Sequence, residues 1–253
     1  MKRIVILTGA TGKLGQNIVN NLSNQYSFVL LVRNKAKAKS IFGKSQKIIE
    51  VDLSKQKNTI DIICKISKEI NVYAIINNAA LDIDNSFFDT TIEQFENIIQ
   101  VNMKAPYLII RQILPILIAN RFGRIINISS TLSLRTVNNA VEYSMTKSAL
   151  ESLSRSIAVQ YGKYGITANN VLINGMLGEL RKVSDVGDQI YSPCEADYRM
   201  DRKFNVSNIP LDRNGDFREF VSVIKFLLSD DSSYVNGTNI IVDGGKNSWR
   251  GNM

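Results

Sequence analysis

Residues 141–150 read VEYSMTKSAL and set a phenol, Tyr143, four positions before an amine, Lys147. On a helix such side chains root about 5–6 Å apart on one face. An ammonium beside a phenol favours its anion, so the pair could exchange protons near neutrality. The same spacing also describes an ordinary structural pair. Two further residues bear on the choice. Ser130 closes IINISS, 143 − 130 = 13 positions upstream, at the end of a strand pattern where a hydroxyl can meet a substrate oxygen. Asn102, in VNMKAP, falls inside the apolar helical run 91–120, where an amide is a misfit unless something uses it. The chain contains no histidine, so imidazole does none of this work.

A second group of residues could hold a phosphate. TGATGKLG, Thr8–Gly15, follows an apolar run and leads into QNIVNNL. Glycines at 9, 12 and 15 permit a tight turn. They also let a pyrophosphate approach the backbone through Gly9, Thr11, Gly12, Lys13, Leu14 and Gly15, with a helix N-terminus facing its charge. A plain glycine-rich turn is the alternative, and no Gly-Lys-[Ser/Thr] closes it as a Walker A loop would. In LLVRN, Arg33 stands where an NAD enzyme offers a carboxylate to the ribose hydroxyl, with Lys35 and Lys37 after it. A guanidinium can grip a 2′-phosphate bidentately. This favours NADP(H) over NAD(H), against the alternative of a solvated basic turn. Asp52 in VDLS could accept from an adenine amino group or simply cap the next segment.

These residues need elements to position them. Runs at 3–9, 28–33, 47–52, 73–78, 123–129, 166–173 and 237–245 read as strands, most of them apolar enough to be buried on both faces. Helical patterns occupy 15–24, 59–70, 91–120, 142–162 and 215–228, with Pro115 expected to end or kink the third. Alternation of this kind predicts an α/β chain with a parallel sheet flanked by helices, in one domain over 1–253. Ligands of such sheets sit at the carboxyl ends of the strands. Residues 176–210 break the rhythm and read as a substrate loop or lid.

Composition narrows the classes. With 44% hydrophobic and 21% charged residues the chain can bury a full core. A net charge of +8 would suit a polyanion, but the cations are scattered, which argues against a nucleic-acid partner. Cys64 and Cys194 fit no metal or redox spacing, so free thiols in a reducing compartment, the cytoplasm, are expected and no metal. Ile4–Leu7 is too short for a signal h-region, and no stretch is read as a membrane span.

Taken together, TGATGKLG, VDL (51–53), INNAA (76–80), VNMKAP, GRIINISS (123–130), YSMTK (143–147), NNVLING (169–175) and VNGTNIIVDGG (235–245) occur in an order that resembles the short-chain dehydrogenase/reductases. The resemblance covers nearly the whole chain. It implies one doubly wound Rossmann domain with a seven-stranded parallel sheet, assembled as a homotetramer or homodimer. It also implies that Tyr143 is the general acid/base, Ser130 orients the substrate oxygen, and Lys147 holds the nicotinamide ribose and lowers the tyrosine pKa. Asn102 would anchor a relay water, and Asp52, Leu53, Asn78, Ala79, Ala80 and Gly175 would border the cofactor. The implied activity is NADP-dependent hydride transfer to a small-molecule carbonyl, an acyl-carrier keto group or a sugar or nucleotide-sugar derivative, or from the matching alcohol. Three departures stand out. Lys13 replaces a glycine of the main branch, Ala80 replaces another, and Asn174-Gly175 with Glu179 replaces the usual Pro-Gly and threonine. The TGxxGxxG spacing is like that of members that sense NADP without catalysing, which gives a silent sensor as the alternative. Arg181, Lys182, Arg199, Arg202 and Lys203, beside Tyr191 and Tyr198, could recognise an anionic substrate or form a solvated basic loop; Trp249 reads as a docking or subunit contact.

Overall fold

The structure, a computed structural model, describes residues 2–174 and 209–248, and the short antiparallel pair β7 (Lys182–Val183) and β8 (Ile190–Tyr191) between them. Expectations for Gly175, Glu179, Arg181, Arg199, Arg202, Lys203, Tyr198, Cys194 and Trp249 lie outside the described residues, and of Lys182 and Tyr191 only the backbone is described.

All seven expected strands form and join one parallel sheet. They are β1 (Arg3–Thr8), β2 (Tyr26–Val32), β3 (Lys47–Glu50), β4 (Val72–Asn77), β5 (Gly123–Ser130), β6 (Ile166–Ile173) and β9 (Asn239–Val242), in the order β3-β2-β1-β4-β5-β6-β9. Continuous apolar runs make this possible, because Val5, Ile6, Leu7, Ala74, Ile75 and Ile76 are shut from solvent on both faces. On one face pack α1 (Lys13–Leu22), α2 (Lys35–Phe42) and α7 (Phe217–Leu228). The other face carries α3 (Gln56–Glu69), α5 (Ala105–Asn120) and α6 (Val141–Tyr161). Strand order reverses between β1 and β4, so the loops leaving those two strands diverge and open a crevice at their carboxyl ends.

Three expectations need correction. The segment after β2, assigned no helix from the sequence, forms the short helix α2, capped by Asn34, whose side chain accepts from the Lys37 N–H at 2.8 Å. Its eight residues carry too little periodicity to be read from sequence. The run 91–120 is interrupted, but not at Pro115. Helix α4 (Ile92–Ile99) passes through a π turn, Gln100–Lys104, into α5, which runs on through the proline. Ile113 and Leu117, both fully buried in the packing against the sheet, hold α5 on either side of it. Finally, Ile92–Asn120 is long and apolar enough to cross a membrane by length and composition; more than half of its most apolar window is buried inside the protein, as for a core helix.

Candidate active site

The crevice begins with two loops laced together. Thr8 Oγ1 accepts from the N–H groups of Asn78 and Ala79, both at 2.9 Å. Asn78 Nδ2 donates in return to the carbonyls of Thr8 (3.1 Å) and Gly9 (3.0 Å). This brings the backbones so close that Gly9, at φ +66°, has no room for a Cβ: one would lie 2.8 Å from Ala79 Cα. Gly12 is the N-cap of α1, and a Cβ there would meet only the Gly9 carbonyl, at 3.5 Å. The loop is therefore tight on the protein side and open on the other.

Every expected cofactor residue among the described ones lines a single cleft of about 280 Å³. Gly9, Thr11, Gly12, Lys13, Leu14 and Gly15 form one wall, Arg33, Asp52 and Leu53 the next, and Asn78, Ala79 and Ala80 the third, with Tyr143 and Lys147 at the end. Asp52 uses one carboxylate oxygen for a local turn, accepting from Ser54 N at 3.0 Å and Ser54 Oγ at 2.7 Å, while still bordering the cleft. Arg33 is exposed at the cleft just ahead of α2. Beside it, the Glu50 carboxylate accepts from the Lys35 N–H at 3.2 Å.

Tyr143 and Lys147 are both buried on α6, with the ammonium 5.2 Å from the centre of the phenol ring. Lys147 Nζ donates to the Ile128 carbonyl at 2.8 Å. Burial, then the charge of Asp82, pushes the Tyr143 phenol well above its ordinary range, and only its hydrogen bond with Ser130 pulls it down. The spacing alone suggested a lowered phenol; desolvation raises it instead. Burial likewise lowers Lys147 to about 8, against an opposing pull from Asp82. The resting pair is thus a protonated phenol beside an amine that titrates near neutrality.

Asn102 and Ser130 are not among the residues that line this cleft, although their chain neighbours Val101 and Ser129 are. Asn102, 1% exposed, lies in the π turn, which directs its amide inward onto Leu81 and Thr146. Ser130 ends β5, and its Oγ accepts from the Leu132 N–H at 3.2 Å. Sequence reasoning missed several wall residues. Ser129 and Ile173 were findable at strand ends, whereas Asn97 and Phe217 reach the cleft from helices whose docking no local pattern encodes. Asp82, the carboxylate nearest in effect to both Tyr143 and Lys147, was also missed; a lone aspartate in a loop gives no signal.

The comparisons agree with this geometry. A family model described as enoyl-(acyl carrier protein) reductase matches residues 9–247. The chain is 25% identical over 248 residues to the 3-oxoacyl-[acyl-carrier-protein] reductase FabG of Haemophilus influenzae, covering 96% of this chain and 97% of that one. It is 29% identical over 250 residues to the L-rhamnose 1-dehydrogenase (NADP(+)) of Thermoplasma acidophilum, covering 95% and 94%. The fold matches that of a 4-hydroxyisoleucine dehydrogenase complexed with NADH at a TM-score of 0.87, with 21% identity over 98% of this chain and 100% of the other. These relatives are enzymes, and none supports a silent sensor. The chain belongs to the short-chain dehydrogenase/reductase family and is an NAD(P)-dependent oxidoreductase acting on CH–OH and C=O groups.

Proposed function

We propose that the chain is an NADP(H)-preferring carbonyl reductase in which Tyr143 is the proton donor. The observation that carries this reading is the buried phenol of Tyr143, lining the glycine-loop cleft with the Lys147 ammonium 5.2 Å from its ring centre. The open side of the Gly9–Gly15 loop and the cations Lys13 and Arg33 on the cleft suit a dinucleotide's phosphates. The nicotinamide, when bound, supplies the hydride. Ser130 orients the substrate oxygen, Tyr143 gives it the proton, and Lys147 holds the ribose hydroxyls and restores charge balance as the phenol ionises. The reverse path oxidises an alcohol, with the phenolate as base.

Arg33 supports the NADP preference, since its guanidinium is exposed on the cleft and suits a 2′-phosphate. The substrate is either a keto group carried on an acyl carrier or a sugar derivative, in keeping with the names of the two sequence relatives, a 3-oxoacyl-[acyl-carrier-protein] reductase and an L-rhamnose 1-dehydrogenase. An assembly of two or four copies in the cytoplasm fits the exposed apolar side chains of Tyr107 on α5 and Met145 and Val159 on α6, and the free thiol of Cys64.

Following the absorbance of reduced nicotinamide with a panel of keto-thioesters and sugars, for wild type and Tyr143→Phe, tests the reading. Loss of about 10²–10⁴-fold in turnover with nucleotide affinity kept is expected. Equal turnover by the variant would remove Tyr143 from the chemistry.

A further inference from the structure

Four asparagines stand in register across four adjacent strands: Asn77 on β4, Asn127 on β5, Asn170 on β6 and Asn239 on β9. Asparagine is a poor strand former, and the first three are at most 2% exposed, so their amides must find partners inside the protein. All but the oxygen of Asn77, which is buried without a partner, find them in one chain. Asn77 Nδ2 donates to Asn127 Oδ1 (2.7 Å), Asn127 Nδ2 to Ser154 Oγ (2.8 Å) and Ser154 Oγ to Asn170 Oδ1 (2.7 Å). Asn170 Nδ2 then donates to Asn239 Oδ1 (2.8 Å), and Asn239 Nδ2 to Glu151 Oε2 (2.7 Å).

Every donor points the same way. A carboxamide turned end for end occupies the same shape, so nothing within a row of amides fixes its direction. An end group must do so. A carboxylate only accepts, and Glu151, 5% exposed, takes Asn239 on one oxygen and Ser129 Oγ on the other at 3.1 Å. Reversing the amides would set the Asn239 oxygen against that charge.

Glu151 is also the third member of the stripe begun by Tyr143 and Lys147, one helical turn further on. Three consecutive residues of β5 grip this stripe. The Ile128 carbonyl accepts from Lys147 Nζ, Ser129 Oγ lies 3.1 Å from Glu151 and 3.4 Å from the Lys147 carbonyl, and the Ser130 hydroxyl is near enough to pull the Tyr143 phenol down. We propose that Glu151 is a positioning residue: it fixes the direction of the asparagine chain and, through Ser129, locks the register of α6 on β5 that aims Lys147 and Tyr143 into the cleft. This rests on the reading of Tyr143 and Lys147 as the reacting pair.

Thermal melting of the nucleotide-free protein and NADPH affinity from nucleotide fluorescence test it together. Asn239→Asp sets a second carboxylate against Glu151 and is expected to lower Tm by several degrees. E151Q/N239D restores a donor facing an acceptor at each contact, with the same net charge, and should recover most of that loss. Glu151→Leu, which removes both acceptors at similar volume, should weaken NADPH binding about tenfold, whereas Glu151→Gln, which can still bond both neighbours, stays within about threefold. Tyr73→Phe, softening the amino end of β4 by freeing the Leu228 carbonyl, controls for stability alone and should leave affinity unchanged. A double variant melting no higher than Asn239→Asp would overturn the directional role. Wild-type affinity in a folded Glu151→Leu would overturn the positioning role, and an unfolded Glu151→Leu passes that decision to the affinity of Asn239→Asp against E151Q/N239D. Wild type that binds no NADPH would instead sink the reading of the cleft, while the melting cycle still decides what Glu151 does.

Discussion

Asn102 closes both backbone hydrogen bonds of Leu81: its Oδ1 accepts from the Leu81 N–H at 2.7 Å, and its Nδ2 donates to the Leu81 carbonyl at 2.8 Å. The side chain thus stands in for a neighbouring strand at a point where β4 has already ended. A third contact, Nδ2 to Thr146 Oγ1 at 3.2 Å, ties the same amide to the residue before Lys147. The π turn makes this possible by adding one residue to the helix and turning Asn102 inward.

Asn102→Ala should therefore be felt beyond its own volume. It leaves a half-buried N–H and carbonyl without partners, which costs on the order of 1–3 kcal/mol. Urea unfolding of the nucleotide-free protein measures it. A loss well under about 1 kcal/mol would mean that water replaces the clamp at no expense.

Gly9→Ala combines two penalties, a φ of +66° and a Cβ 2.8 Å from Ala79 Cα. Strain and displacement of the β4 loop together should cost roughly 2–4 kcal/mol and abolish measurable NADPH binding. Calorimetric titration of the folded variant checks this. Normal affinity would show that the Thr8–Asn78 lacing is not needed to shape the cleft.

Arg33→Asp should shift the preference from NADP towards NAD by about 100-fold in kcat/KM, because a carboxylate repels the 2′-phosphate and can accept from a bare ribose hydroxyl. Steady-state kinetics with both nucleotides decide it. An unchanged ratio removes Arg33 from that role.

The depressed Lys147 gives a pH dependence of definite sign. In the free protein the ammonium is present below about 8 and lost above it. NADPH affinity and kcat/KM for reduction should fall as pH rises through about 8, while Tyr143, raised by burial, keeps its proton. Stability should respond in the opposite direction. Between about 8 and the ordinary 10.5 the unfolded chain binds more protons at this site, so wild type should gain stability relative to Lys147→Met with rising pH, and show no such trend below about 8. A flat binding profile from pH 6 to about 10 would exclude Lys147 as the controlling group.

The strands were legible because burial on both faces leaves continuous runs such as VILT and AIIN, and a parallel sheet needs little else. The short helix α2 was not, since its single buried edge of Ala38 and Phe42 carries almost no period. Pro115 misled for a related reason. The rule that proline ends a helix is local, whereas the packing that carries α5 past it comes from strands far away in sequence.

By itself the sequence determined the chemistry at hand: a phenol, an amine and a serine hydroxyl in the absence of histidine, and a glycine loop open to a phosphate. Residue type and spacing of three or four positions are enough for that, because one helix face and one tight turn are local geometry. Only the tertiary structure decided how those groups behave. The protonated state of Tyr143, the lowered Lys147, the Asn102 clamp and the row from Asn77 to Glu151 all depend on desolvation and on contacts between strands brought together by crossovers. Dielectric environment and hydrogen-bond direction are properties of the packed interior, and no local pattern of residues carries them.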